Sequence, residues 1–175
     1  MDDLIKFPNT ERVLWEYAEE VKKLYQDNLV KNDHVATGNL KDSVECMVTY
    51  KDATYVVSLK LADYWLSIEK GRPPTEKNGD GALRRGILKW LEVKKILPRP
   101  DGKIEKLPQP QQLSRLSYAI SKSIHMHGTK TYRETQNGSE DLKDATLTAY
   151  AEFEQKIHQA ILKDVDVELV KIFHR

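Results

Sequence analysis

A small α+β fold is what this 175-residue sequence predicts: an antiparallel β-sheet built on a hairpin, flanked by an N-terminal helix, two middle helices and a long C-terminal helix. Three observations lead there. Apolar residues recur at spacings of three and four over most of the chain, the mark of amphipathic helices. Two adjacent runs near residues 43–61 alternate with period two, as half-buried strands do. Breaker-rich stretches at 72–82, 98–109 and 129–138 separate the periodic segments.

The first element is a helix over about 10–29. Pro8, Asn9 and Thr10 supply start signals, with Asn9 or Thr10 the expected N-cap. Val13, Leu14, Tyr17, Ala18, Val21, Leu24 and Tyr25 form one apolar stripe opposite Glu16, Glu19, Glu20 and Lys23. A polar loop over 32–39 follows, turning at Gly38. In the run 43–50, Val44, Cys46, Val48 and Tyr50 share one parity. In 54–61, Tyr55, Val57, Leu59 and Leu61 do the same. Three residues, Lys51, Asp52 and Ala53, are left to connect the arms as a hairpin.

A short helix is expected over 62–70, with Trp65 and Leu66 on its apolar side and Gly71, Pro73 and Pro74 ending it. The loop 72–82 reads as a mobile linker. A basic helix over 83–97 buries Leu83, Ile87, Trp90, Leu91 and Val93 and turns Arg84, Arg85, Lys89, Lys94 and Lys95 outward, with Pro98 as its stop. The next helix, 110–127, lines up Leu113, Leu116, Ala119, Ile120 and Ile124, with Gly128 as C-cap. Residues 129–138 read as loop or extended chain. A long helix capped by Ser139 then runs to about 163, with Leu142, Ala145, Ala149, Phe153, Ile157 and Ile161 in one stripe. The tail 164–173 alternates at first and fits either strand or helix. The expected organisation is a single domain over 1–175, with a core at 10–130, a basic helical insertion near 80–98 and a C-terminal helical extension over 139–175.

Composition excludes several classes. One cysteine, Cys46, cannot form an internal disulfide, and a reducing compartment is the natural setting. The N-terminus lacks the basic and apolar regions of a secretory signal, and no apolar run approaches the ~20 residues of a membrane span. The expectation is a soluble chain. Its net charge of +1 conceals segregation: 8 Lys/Arg against 13 Asp/Glu over residues 1–69, 14 against 5 over 70–132, and 6 against 9 over 133–175. Such separation can steer association with an oppositely charged partner or another copy of the chain, unless folding interleaves the segments.

Candidate chemistry does not survive inspection of spacing. His125 and His127 are two apart, pointing roughly 200° from each other on a helix, and cannot share a metal. His34, His158 and His174 are isolated. Cys46 sits on the apolar parity of a strand and reads as core filler. Glu16, Glu19 and Glu20 lie on an exposed helix face. Gly79-Asp80-Gly81 precedes a helix but follows no strand and lacks a phosphate-loop lysine. No catalytic, cofactor or metal residues are therefore expected. The basic residues around Trp90 fit a solvated face, a protein interface, or contact with nucleic acid.

Three segments resemble one family. Thr37-Gly38-Asn39-Leu40-Lys41-Asp42-Ser43-Val44 looks like the T-G-x-L-x-x-S-[IV] motif of phage head–tail joining proteins, also called tail-completion or neck proteins, the minor structural proteins of long-tailed phages. Ala62-Asp63-Tyr64-Trp65, with Ile68-Glu69-Lys70-Gly71-Arg72-Pro73-Pro74, is similar to the family's following tyrosine-rich turn ending in acid and glycine. The run 116–124 with Gly128 resembles a later helix-plus-glycine segment. The resemblance covers about residues 10–130; the basic helix and the long C-terminal helix are additions to the pattern.

The resemblance implies a virion protein that oligomerises into a ring between capsid and tail. Its partners would be portal or connector and tail-tube proteins, with DNA contact in the lumen and no membrane. It marks Thr37, Gly38, Leu40, Ser43, Glu69, Gly71 and Pro73 as structural motif positions. Tyr64, Trp65, Arg84, Arg85 and Lys89 are the candidate interface residues, and both aromatics also fit a core role. The alternative is a DNA-binding accessory protein using the basic 72–99 stretch.

Overall fold

The computed structural model describes residues 7–35, 37–75, 81–99, 107–134 and 140–173. The elements run α1 (Pro8–Lys31), α2 (Asn39–Asp42), β1 (Glu45–Lys51), β2 (Thr54–Lys60), α3 (Trp65–Glu69), α4 (Ala82–Lys94), α5 (Gln109–His127), α6 (Lys130–Glu134) and α7 (Asp141–Phe173). This is the expected α+β class, with a two-stranded antiparallel sheet among helices. The chain groups into two compact units: Met1–Asn32, Lys41–Ala62 and Asp141–Arg175 form the first, Asp33–Leu40 and Asp63–Glu140 the second.

In the first unit α1 and α7 pack along each other, and both strands lie against α1. Val13, Ala18, Val21, Tyr25 and Leu29 of α1 are buried, as are Ala145, Ala149 and Ala160 of α7. The small alanines let the helix backbones approach, while Tyr17 and Phe153 fill the seam with ring centroids 4.5 Å apart. The C-terminal segment, expected as an extension, is thus one wall of this unit, and its tail is helix to Phe173. The expected stripe drifts. Steps of four residues rotate by about 40° each on a 3.6-residue helix, so Ile161 swings outward and is 42% exposed, while Ala160 and Asp164 take the inward positions.

Neither Asn9 nor Thr10 caps α1. The helix begins at Pro8, and Phe7 before it provides no side-chain cap. The unsatisfied N–H groups are met from the far end of the chain instead. One carboxylate oxygen of Asp164 accepts from the Asn9 backbone (3.1 Å) and side-chain amide (2.7 Å), the other from the Thr10 backbone and hydroxyl, both 2.7 Å. The opposite end of the pair is fixed by Asp141, whose carboxylate accepts from the Asn32 amide at 2.6 Å and whose carbonyl accepts from the Asn28 amide at 3.0 Å. Two buried aspartates therefore set the antiparallel register of α1 and α7.

The strands pair with Cys46 opposite Leu59, Val48 opposite Val57 and Tyr50 opposite Tyr55, the parity the alternation indicated. Lys51 pairs with Thr54, so the connection is two residues and not three. Asp52 and Ala53 both have positive φ (50° and 59°), as a type I′ turn requires. Ser43 Oγ accepts from the Ala62 N–H at 3.0 Å and ties the hairpin's entry to its exit.

In the second unit α4 and α5 pack antiparallel around Ile87, Leu91 and Leu113, with Leu83, Leu88, Ile96, Leu116, Ile120 and Ile124 against them. Trp90 and Val93, expected inside, are 38% and 47% exposed. Lys95 adopts a left-handed conformation (φ 53°) and ends α4 before Pro98 can act. Gly128 caps α5 as expected, its N–H donating to the Ile124 carbonyl at 2.8 Å. Residues 130–134, expected as loop, form the helical turn α6. The expected cap at Ser139, the loop residues Lys77, Gly79, Asp80 and Gly102, and His174 lie outside the described residues. None of the described helices is long and apolar enough to cross a membrane.

Burial works to raise the Asp164 pKa, but the four donors from Thr10 and Asn9 outweigh it and hold the carboxyl below its ordinary value. A group with a depressed folded-state pKa stabilises above its unfolded value and loses that contribution as pH falls through the folded one. Urea denaturation of Asp164→Asn at neutral pH should show a loss of about 1.5–3 kcal/mol, the usual worth of hydrogen bonds to a charged group. The variant should also lose part of the wild type's decline in stability below about pH 4. Equal stability of the two proteins at pH 7 would contradict the capping role.

Candidate functional site

The motif residues fall at two structural joints. Thr37 is exposed and Gly38, with φ 83°, reverses the chain into α2. Leu40 and Val44 are buried at 5% and 3% exposure. With the Ser43 bond to Ala62, the first motif builds the entry to the hairpin.

The second motif and the later helix-plus-glycine segment meet in space. Arg72 N–H donates to Thr129 Oγ1 and the Thr129 N–H donates to the Arg72 carbonyl, both at 2.9 Å. Gly71 and Gly128 sit beside these bonds with φ 73° and 76°. A Cβ on Gly71 would overlap the Tyr132 backbone nitrogen. One on Gly128 would lie 2.8 Å from both the Arg72 carbonyl oxygen and the Tyr132 ring. Both glycines are required by close backbone approach. Thr75, three residues on, donates its N–H to the His125 carbonyl at 2.9 Å, and its hydroxyl is bonded to His125 Nδ1. Arg72 and Thr75, at the start of the 72–82 linker, are therefore held against α5 and the residues just after it. Glu69, just ahead of this crossing, is buried, and Pro73 is exposed.

The candidate interface residues lie on two elements, Tyr64 and Trp65 at α3 and Arg84, Arg85 and Lys89 on α4. Tyr64 is 45% exposed at the start of α3; burial raises its hydroxyl pKa, against a hydrogen bond with the Leu40 backbone. Trp65 beside it is half-buried. Arg84 lies along the α4–α5 edge, with Nη2 bonded to Ser114 Oγ at 2.8 Å and the guanidinium 5.5 Å above the Tyr118 ring. Arg85 and Lys89 are exposed, and Lys94 reaches Asp33 at 2.6 Å, where its charge holds that carboxyl below its ordinary range. Spacing alone could not separate Arg84 from its neighbours, because it depends on where α5 lies.

The first unit carries a groove of about 590 Å³ on the α1–α7 surface, lined by Tyr17 and Phe153, by Glu16, Glu19, Glu20 and Glu152, and by Lys23 and Lys156. Cys46 faces α1 and donates to the Ala18 carbonyl at 3.2 Å. Burial and then the Glu19 charge push its thiol pKa up, so it is a poor nucleophile. Among the described residues no three His, Cys, Asp or Glu side chains gather as metal ligands do.

Comparison with protein-family models, with curated proteins and with solved structures finds no match to this chain.

The glycine crossing generates a contrast. Gly71→Ala should destabilise the fold by at least about 1–2 kcal/mol, the cost of a left-handed non-glycine residue, before its clash is counted. Gly86→Ala, in the middle of α4 with nothing within 4 Å of the new Cβ, should stabilise by about 0.5–1 kcal/mol. Urea melts of the two variants measure both, and the same sign in each would contradict this assignment.

Proposed function

We propose that this chain is a non-enzymatic phage virion protein that assembles into a ring at the head–tail junction, bridging connector and tail. The observation that carries the reading is joint: three short segments resembling the neck-protein family, at 37–44, 62–74 and 116–128, each build a backbone joint. Two of them converge at the Gly71–Gly128 crossing. A scaffold defined by its joints, with no three His, Cys, Asp or Glu side chains gathered as metal ligands among the described residues, suits work by shape and surface complementarity.

Charge distribution supports assembly. The first unit holds 17 Asp/Glu against 13 Lys/Arg, and the second 10 against 15. The segregation seen along the sequence therefore persists in the folded units. Opposite signs on two parts of one chain favour head-to-tail contacts between copies, the heterologous geometry that closes into rings. In the virion, portal or connector and tail-tube proteins would be the neighbours, with DNA in the lumen.

One observation favours a second reading. Arg85, Lys89, Arg115, Tyr118 and Lys122 are exposed on α4 and α5, a combination suited to a phosphate backbone. Light scattering and negative-stain microscopy distinguish the two. The assembly reading predicts closed oligomers of uniform size at micromolar concentration or on adding connector protein. A chain that stays monomeric under both conditions, and binds duplex DNA with an affinity falling steeply with salt, overturns it in favour of a DNA-binding accessory role.

A further inference from the structure

Two helices carry a second, exposed apolar stripe in addition to the face they bury in their own unit. In α4, Ile87 and Leu91 are buried. At about 100° per residue, Gly86, Trp90 and Val93 fall on an adjoining face, roughly 80–140° from the middle of the buried one. Trp90 and Val93 are 38% and 47% exposed, and Leu97, just past the helix end, is also exposed. A Cβ at Gly86 would meet nothing within 4 Å, so the helix surface there is open to close approach. Arg85 and Lys89 flank this stripe on one side and Lys94, which is bonded to Asp33, on the other.

In α7 the inward face carries Ala149, Ala160 and Asp164. Leu162, Val165, Leu169 and Ile172 stand opposite, within an arc of about 80°. Leu162 and Ile172 are 64% and 67% exposed. Their spacing of three, four, three is that of a coiled-coil seam, and the four-then-three spacing of Gly86, Trp90 and Val93 is its counterpart. Asp166 and Glu168 border the α7 stripe on its two sides, Glu168 paired with Lys171 at 2.6 Å, while Lys163 lies on the other half of the helix.

We infer that the outer face of α4 in one copy docks on the outer face of the C-terminal third of α7 in a second copy. The contact is heterologous: an apolar seam bordered by cations meets an apolar seam bordered by carboxylates, as paired helices choose partners by their flanking charges. A like pairing of two α7 seams would set acids beside acids, and two α4 seams cations beside cations, so charge selects the unlike pair. The inference deepens the assembly reading and rests on it, since it names the surface through which copies join.

Reciprocal charge reversal tests it by sedimentation velocity over a concentration series. Arg85→Glu/Lys89→Glu and Asp166→Lys/Glu168→Lys change exposed or partly exposed positions, and circular dichroism with thermal melting verifies that each variant folds. Each alone should weaken self-association by roughly 100-fold. An equimolar mixture of the two should restore it, because the reversed α4 of one meets the reversed α7 of the other, and so should a chain carrying all four changes. Wild-type-like association of either variant, or folded variants that fail to associate when mixed, overturns this interface while leaving assembly itself standing. A wild-type chain that is monomeric throughout overturns both. Loss of duplex-DNA binding in Arg85→Glu/Lys89→Glu with self-association intact also overturns the interface, and assigns the α4 face to nucleic acid.

Discussion

The start of α1 depends on a single carboxylate. α1 starts on a proline without a cap of its own, and four of its polar hydrogens converge on Asp164, a residue 154 positions away from Thr10 in the chain. A buried aspartate with fewer donors would favour its neutral form and weaken the joint; here the hydrogen bonds keep it ionised against its burial. The negative charge also lies where the positive end of the α1 dipole is strongest. With Asp141 engaged by Asn28 and Asn32 at the opposite end, the two long helices have one register, and the hairpin has a fixed α1 surface to lie against.

That register has a further effect. Because Asp164 sits at the start of α1, the remaining nine residues of α7 continue about 13 Å beyond the point where the helix pair ends. Val165, Val167, Leu169, Val170, Ile172 and Phe173 are all exposed there. A soluble monomer seldom displays so much contiguous apolar surface on one helix without a use for it. In the second unit, α4 shows the same doubling of faces, one turned to α5 and one to solvent. Cations lie beside one of these stripes and carboxylates beside the other, which is the complementarity the proposed contact between copies uses.

Much of this was legible in the sequence, and the failures have physical reasons. Helix and strand positions followed from period, and the parity of Cys46, Val48 and Tyr50 was read correctly because a sheet face has only two options. Boundaries were missed where local signals were overridden. Asn9 and Thr10 look like caps, yet they are donors to a distant carboxylate that no local rule detects. Ala53 takes a left-handed conformation that composition would assign to glycine, which disguised the two-residue turn. Ile161 was misplaced because a four-residue step was followed too far along a 3.6-residue helix. The motif glycines were visible as punctuation, but not as partners: that Gly71 and Gly128 face one crossing is a tertiary fact. Arg84 was grouped with Arg85 and Lys89, although Ser114 and Tyr118 hold it on a different side.

The central claim is that copies of this chain join through surfaces of opposite charge carried by its two units. Zero-length carboxylate–amine cross-linking of an equal mixture of ¹⁴N- and ¹⁵N-labelled protein, read by mass spectrometry, tests it most directly. The account predicts mixed-isotope links between Lys89 or Lys94 and Asp166 or Glu168, lost at high salt as the attraction is screened. Links that join only residues of the same isotope, or mixed links that avoid α4 and the end of α7, would contradict it.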